Sequence, residues 1–387
     1  MYILLILLLL YFIRKYEYNG TVMFNKKAYW FVCTIFILMS GLRYRLGVDS
    51  VMYESDFSVY PTIDKYKWGY EYCRDANDVF WAILNSICKT VYNDFVSVQL
   101  VMGLVTNIVV FCFIKRHSSR PYLAVLFYFI TLWPLITFEA LREGMAVTFY
   151  IWALDALISG GGLLKYYKRV WPAVFFHSFG FMTLAFPLIQ LLKPNKLTLI
   201  ITIASAIAII SVGYTFGDLV MAYVELDSLA GDKMNMYFNS DTYGTNMWSI
   251  GGVLAIIIGY VLPIGAMAYC VTSSKNHSVK WLFPYLIFML LVSLFKISLP
   301  VFYRFFNYYY LVLVIAMTEC INQNNGYYNI WMKRMAKIAV FFFIFMVCYN
   351  FTKPVGTTKY ASIYRYYPYN SIFTKDYNYK TEKLLPE

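Results

Sequence analysis

The feature that most constrains this chain is a series of apolar runs that recurs from one end of the sequence to the other. Each run is about as long as a helix needs to cross a hydrocarbon layer of about 30 Å. The runs are continuous and do not alternate between polar and apolar residues, which favours helices over barrel strands. Only 14% of the residues are charged, whereas a soluble domain carries about 25%. The sequence therefore predicts an all-α, polytopic membrane protein and excludes a soluble globular enzyme.

About ten or eleven transmembrane helices are expected, within a single polytopic membrane domain that covers residues 1–387. The predicted spans are about 1–13, 28–42, 95–114, 121–138, 144–158, 170–192, 197–214, 249–271, 281–299, 305–321 and 335–351. Residues 79–92 have Trp, Lys and Tyr near their ends, which is typical of a helix lying in the membrane interface.

Basic residues predict the orientation of these spans. The loops that follow the first and third spans are rich in Lys and Arg, which indicates that both face the cytoplasm. The polar stretches 43–77 and 215–248 are then expected outside. Simple alternation of spans would instead place 215–248 inside, and one extra half-crossing, with a break near Pro187, would remove the conflict. Because topology explains the net charge of +12, no nucleic-acid partner is expected.

Ionisable residues near or within apolar spans are the candidates for a functional site, because lipid disfavours them. These residues are Arg43, Arg45, Asp49, Glu139, Arg142, Glu143, His177, Lys296 and Arg304. The arginines fall at predicted extracytoplasmic helix ends, where positive charge is disfavoured. A guanidinium group matches phosphate oxygens bidentately, so several of them together predict an anion site. The alternative is internal ion pairing, of Arg142 with Glu139 and of Arg43 with Asp49. For His177, the alternative to a functional role is a structural role as a hydrogen-bonding residue.

The sequence lacks the motifs of the familiar soluble-enzyme chemistries. It has no Walker A loop, no G-x-S-x-G elbow and no H-E-x-x-H pair. Its seven cysteines form neither a C-x-x-C motif nor a cluster with histidine. No metal and no cofactor are therefore expected.

Five short motifs, in order along the chain, resemble those of the EpsG-like branch of Wzy-type polysaccharide polymerases. The segment 41–53 is similar to the G-x-R-x-x-x-G-x-D-x-x-x-Y signature of that family. The other four are Leu141-Arg142-Glu143-Gly144-Met145-Ala146, Phe176-His177-Ser178, Arg304-Phe305-Phe306-Asn307-Tyr308-Tyr309 and Tyr369-Asn370-Ser371-Ile372-Phe373. Glu143 stands where the family element has Gln.

The resemblance implies a membrane glycosyltransferase of GT-C-like architecture in the cytoplasmic (inner) membrane. Such a polymerase joins undecaprenyl-diphosphate-linked oligosaccharide repeat units into a surface polysaccharide, such as O-antigen or exopolysaccharide, at the extracytoplasmic face. A chain-length regulator and a flippase are the expected protein partners. The catalytic residues implied are His177, Asp49 and Arg142. The residues implied to bind diphosphate and glycan are Arg43, Arg45, Arg142, Arg304, Tyr53, Glu139 and Asn307.

Three other functions remain open from the sequence alone. A flippase or transporter for the same lipid-linked glycan would need basic residues along a whole pathway, whereas here they cluster toward one face. A membrane acyltransferase would need a catalytic histidine near the cytoplasm, where His117 and His177 are the candidates. A glycan ligase that moves finished polysaccharide to another anchor would use arginines in the same way.

Overall fold

The computed structural model describes most of the chain in two compact units. The described residues are 1–18, 24–67, 78–193, 195–202, 204, 250–274, 277–298, 303–321, 330–354, 358–376 and 379–384. The first unit contains Met1–Pro187, Phe351–Lys353 and Lys359–Glu387, and the second contains Leu188–Asn350 and Pro354–Thr358. The predicted loop 215–248 and most of the predicted span 197–214 lie outside the described residues. That the chain is a single domain, and that its architecture is GT-C-like, stay predictions.

The described residues form helices and contain no strand, which confirms the all-α prediction. The helices of the first unit are α1 (Tyr2–Tyr16), α2 (Lys26–Gly41), α3 (Ser50–Val59), α4 (Val79–Val91), α5 (Val96–His117), α6 (Pro121–Thr131), α7 (Leu141–Ile158) and α8 (Gly162–Phe176). Those of the second are α9 (Ile250–Ile256), α10 (Leu262–Ser273), α11 (Leu282–Ser298), α12 (Tyr303–Ile321) and α13 (Ile330–Thr352), which re-enters the first unit at Phe351.

Several of these helices are suited to crossing a bilayer. Among the described residues, Val96–His117, Gly252–Ser273 and Arg334–Thr352 are both long and apolar enough to span it, and shorter apolar helices accompany them. The chain is therefore a multi-pass membrane protein. The number of ten or eleven spans stays a prediction.

The long helices of the first unit run between two chemically different ends. At one end, α1, α5 and α7 finish and α2, α6 and α8 begin. We call it the basic end, because it carries Arg14, Lys15, Lys26, Lys27, Lys115, Arg116, Arg120, Lys165, Lys168 and Arg169. Buried carboxylates join the helices here. Glu17 accepts the backbone N–H groups of Tyr122 (2.7 Å) and Leu123 (3.1 Å) at the start of α6, where such donors lack helical partners.

A second carboxylate, Asp155 of α7, contacts two arginines and a histidine at the basic end. It accepts hydrogen bonds from Arg116 and from Arg169 (3.5 Å), and it lies 3.0 Å from the Nε2 of His117. The His117 ring is itself only 8% exposed. Asp155 thereby connects α5, α7 and α8 at this end of the unit.

The opposite end of the unit, which we call the motif end, is formed by residues 41–49, 139–144 and 365–376. α6 reaches it through Pro134 and a π-helical turn, Leu135–Glu139, and α7 begins just after that turn. A π turn inserts an extra residue into the helical ladder. Glu139 therefore lies on a turn that ends before α7, and it does not share a helical face with Arg142.

The predicted span 170–192 is a hairpin and not a single crossing. α8 ends at Phe176, His177 is extended (φ −160°, ψ 142°), and two 3-10 segments, Ser178–Leu184 and Phe186–Leu191, follow. The returning chain runs back along α8, because Tyr166 donates to the carbonyl of Thr183 (2.6 Å). Gly180 permits this packing, since a Cβ there would stand 2.1 Å from the carbonyl oxygen of Ala173.

The hairpin changes the number of membrane crossings expected for this segment. The chain leaves the basic end in α8 and turns at His177. It then returns to the level of Tyr166, one turn after α8 begins. The break in this apolar segment therefore lies at His177 and not near Pro187, and the extra half-crossing stays a prediction. The placement of 215–248 outside the membrane concerns residues beyond the described ones and stays a prediction.

Candidate substrate site at the motif end

The loop 41–49 is held between the π turn and the C-terminal segment. Gly47 has φ +93°, and a Cβ on it would lie 2.3 Å from the carbonyl oxygen of Phe138, so only glycine fits here. Its own N–H donates to the carbonyl of Arg365 (2.8 Å). The glycine of the 41–53 motif thus brings three sequence-distant segments together.

Arg142, a predicted catalytic and binding residue, forms an ion pair with Asp78 directly before α4. Asp78 is 1% exposed and Arg142 is 15% exposed. Burial raises the pKa of Tyr53 on α3 to about 12, and the nearby Arg142 guanidinium opposes that shift. Asp49 also acts electrostatically on the Tyr53 hydroxyl. The structure therefore brings together four groups from α3, α4 and α7, and three of them, Arg142, Tyr53 and Asp49, were predicted from the sequence.

Glu139 pairs with a residue that the sequence analysis missed. Its Oε1 accepts from Arg365 at 2.7 Å, and its Oε2 accepts from the hydroxyl of Tyr366. Burial raises the pKa of the Tyr366 phenol well above its usual value, and the Glu139 charge adds to the effect. Arg365 and Glu139 are 25% and 14% exposed, so solvent still reaches the pair. The C-terminal segment therefore supplies an arginine to the motif end.

A third arginine–acid pair lies on the rim of the motif end. The Nε of Arg45 donates to Glu54 on α3 at 2.8 Å, and the two side chains are 37% and 39% exposed. Arg45 has φ +46°, an uncommon conformation for a residue other than glycine. An exposed ion pair of this kind contributes little to stability, so its guanidinium can exchange partners at low cost.

Arg43 differs from the other three arginines because it is buried, with 1% of its surface exposed. One guanidinium nitrogen, Nη1, donates to the carbonyl of Ser40, and the group lies 5.4 Å from the centre of the Phe138 ring. No ion pair with Asp49 or with any other acid forms among the described residues. Both proposed internal pairs are therefore wrong, since Arg142 pairs with Asp78 and Glu139 with Arg365.

His177 lies at the tip of the hairpin and not in the middle of a span. Its Nδ1 accepts from the N–H of Phe179 (3.2 Å), and its ring stacks on that residue. The preceding Phe176 packs on Phe80, two residues after Asp78, at a centroid distance of 5.8 Å. The hairpin tip therefore approaches the start of α4, close to the Arg142–Asp78 pair along the chain.

The remaining predicted residues, Arg304 and Asn307, lie in the second unit at the start of α12. Asn307 is buried, and Arg304 is half-buried. The ring of Phe306, between them, packs on Tyr260 at 5.4 Å. That Arg304 contributes to the predicted anion site stays a prediction.

The motif end has the groups needed to hold a polyanion and to move a proton. Three partly exposed guanidinium groups are each positioned by a carboxylate, and phenol, carboxylate and imidazole groups lie on the neighbouring segments. No group of three His, Cys, Asp or Glu side chains suited to a metal ion occurs in the part of the chain that the structure describes. The arrangement therefore favours electrostatic and acid–base chemistry on an anionic substrate.

One of three comparisons with known proteins found a match. Searches of curated proteins and of solved structures found no match to the chain. The family model described as the EpsG family matches residues 26–378. That match includes the loop 41–49, the π turn, the hairpin and the C-terminal segment through Arg365 and Ser371. This protein therefore belongs to the EpsG family, and it is a membrane protein of the polysaccharide-polymerase type.

Proposed function

We propose that the protein lengthens a surface polysaccharide by joining oligosaccharide repeat units carried on undecaprenyl diphosphate, with the motif end as its substrate site. The observation that carries this proposal is the set of three arginine–acid pairs, Arg45–Glu54, Arg142–Asp78 and Arg365–Glu139, at the end opposite the basic residues. By the positive-inside rule, that end faces away from the cytoplasm. The protein then works in the cytoplasmic membrane, supplied by a flippase and accompanied by a chain-length regulator.

The chemistry requires charge stabilisation more than it requires a cofactor. An acceptor hydroxyl oxygen attacks the anomeric carbon of the donor sugar, and the bond from that carbon to the diphosphate oxygen breaks. The departing undecaprenyl diphosphate gains negative charge, which guanidinium groups stabilise bidentately. The hydroxyl proton passes to a base, for which Asp49 and His177 are the candidates.

The carboxylate partners fit such a role for the arginines. Each acid fixes the orientation of its guanidinium group before the substrate binds, which lowers the ordering cost of binding. The side chains of Arg142, Arg365 and Arg45 are 15%, 25% and 37% exposed, so part of each guanidinium group remains accessible to a ligand. Incoming phosphate oxygens then share or replace the carboxylate oxygens.

The acyltransferase alternative gains no support from the histidines. His117 is at the basic end, but its ring is 8% exposed, packs on Phe113 at 4.5 Å and contacts Asp155. A ring so enclosed has little room for an acyl donor and an acceptor hydroxyl.

The test uses the purified full-length protein in liposomes that contain undecaprenyl-diphosphate-linked repeat units and no nucleotide sugar. We expect a ladder of longer lipid-linked glycans, together with free undecaprenyl diphosphate. Repeat units that cross the bilayer at unchanged length would instead establish a flippase. Repeat units that neither lengthen nor move would refute the proposal.

A further inference from the structure

Arg43 is a buried cation whose hydrogen-bonding capacity is only partly used. Its side chain is 1% exposed, and Nη1 donates to the carbonyl of Ser40. The other donor atoms, Nε and Nη2, have no hydrogen-bond partner among the described residues, and no carboxylate there pairs with the group. A guanidinium group in such a position retains two donors for a ligand.

The cover over Arg43 is the C-terminal segment 365–376, which we call the strap. Ser371 of the strap lies opposite Arg43 in a two-residue antiparallel bridge. The bridge is closed by two backbone hydrogen bonds of 3.0 Å each, from Tyr44 to Asn370 and from Ile372 to Leu42. The Tyr369 hydroxyl adds a bond of 3.1 Å to the carbonyl of Met39.

The groups around Arg43 compensate its charge only in part. The Phe138 ring offers a cation–π contact, and the phenols of Tyr2 and Tyr369 lie close enough to interact electrostatically. Burial nevertheless lowers the pKa of Arg43 to about 9. An uncompensated buried cation is strongly unfavourable, whereas each hydrogen bond of the strap contributes only a small net stabilisation. Pairing of Arg43 with an anion therefore offsets part of the cost of lifting the strap, which also breaks the bonds of Arg365 with Gly47 and of Arg365 and Tyr366 with Glu139.

We propose that Arg43 belongs to an anion site that the strap covers, and that the strap lifts to let the diphosphate of the lipid carrier reach the two unused guanidinium nitrogens. This inference rests on the proposed function and assigns a gating role to the strap. Arg365 is part of the same segment, so lifting also moves its guanidinium group away from Glu139. Glu139 thus positions the Arg365 guanidinium while the strap is closed, and lifting frees both arginines to bind the diphosphate.

The experiment locks the strap with a disulfide in the full-length chain. Leu42 and Ile372 flank the Arg43–Ser371 bridge and share one backbone hydrogen bond, and neighbours of this kind in antiparallel chains have Cα separations of about 4.5–5.5 Å, which suits a disulfide. In the double variant Leu42→Cys/Ile372→Cys, we measure binding of undecaprenyl diphosphate and elongation of lipid-linked repeat units, oxidised and after reduction. The two single-cysteine variants, treated in the same way, control for the native cysteines and for local damage.

We expect the oxidised double variant to bind undecaprenyl diphosphate more weakly by about tenfold or more, the loss expected for charge-assisted hydrogen bonds. Elongation should fall with binding, and reduction should restore both. In the reduced double variant, adding Arg43→Met should weaken binding, whereas in the oxidised form it should add no further loss. Equal binding and elongation in the two redox states would overturn the strap gate while leaving the proposed function intact. Failure of the wild-type protein to elongate repeat units would instead refute the proposed function.

Discussion

At the scale of single residues, the first unit places buried carboxylates where each one organises several donors. Asp78 and Asp155 hold arginines at opposite ends of α7, and Glu17 binds the start of α6. A buried carboxylate without such partners would cost several kcal/mol. These acids are therefore connectors between helices as well as electrostatic partners.

Glu17 provides a prediction about pH. Burial raises its pKa to about 7, although the N–H groups of Tyr122 and Leu123 and the charge of Arg120 oppose the shift. The pKa of Glu17 is higher in the folded protein than in the unfolded chain. Protonated Glu17 therefore contributes its full stabilisation of the fold below about pH 4.3, and this contribution is lost as pH rises through about 7. The loss amounts to about 3 kcal/mol. The thermal stability of the wild-type protein in detergent should fall across this range, and that of Glu17→Gln should fall less. Parallel curves for the two proteins would contradict the prediction.

Arg365 provides a prediction about a site residue that sequence reasoning missed. Lysine would retain a charge beside Glu139 but lose the fork that positions two donors. We expect Arg365→Lys to shorten the glycan and Arg365→Met to shorten it further, each at wild-type abundance. Lys359→Met is the control, since Lys359 is a cation shortly before that segment for which no pairing with an acid is seen among the described residues. Full-length glycan from Arg365→Met would exclude Arg365 from the site.

The ion pairs that were wrongly predicted or not predicted have a common cause. The partners Arg142 and Asp78 are 64 residues apart, and Arg365 and Glu139 are 226 apart. Sequence reasoning paired Arg142 with Glu139 because residues three apart share a face of a continuous helix. The π turn that ends at Glu139 interrupts that helix. The types of charge at the motif end were predictable, but their pairing depends on tertiary structure.

At the scale of elements, most helix bounds follow from apolar length. The predicted spans 28–42 and 95–114 correspond to Lys26–Gly41 and Val96–His117, and the predicted interfacial helix 79–92 to Val79–Val91. The hairpin at His177 was not predicted, because the apolar run continues through its tip. Its only local signal is Gly180, whose missing Cβ allows the returning chain to contact α8.

The hairpin predicts a specific labelling pattern. Cysteines introduced at Leu164 in α8 and at Leu184 on the returning segment should react with a membrane-impermeant thiol reagent from the same side of the membrane. The reason is that residues 183 and 184 bond to Tyr166 and Tyr167, near the start of α8. A cysteine at Val51, at the motif end, should react only from the other side. Labelling of positions 164 and 184 from opposite sides would show a complete crossing and contradict the hairpin.

At the scale of the whole molecule, the first unit separates two kinds of positive charge. In the proposed orientation, the lysines and arginines at the basic end follow the positive-inside rule, whereas the arginines of the motif end, Arg43, Arg45, Arg142 and Arg365, oppose it. Membership of the EpsG family connects the protein, but no single residue, with polysaccharide synthesis. In the proposed function, the arginines of the motif end bind the diphosphate of a lipid-linked donor.

The most direct measurement of that claim is the length of surface glycan made by two matched arginine variants. Arg142 and Arg169 each pair with a buried aspartate and are 15% and 19% exposed, but they lie at opposite ends of the unit. At equal protein abundance, Arg142→Lys should reduce polymerisation by about tenfold or more, because the fork for the diphosphate is lost. Arg169→Lys should leave the glycan at wild-type length. Full-length glycan from Arg142→Lys, or equal shortening by both variants, would contradict the account.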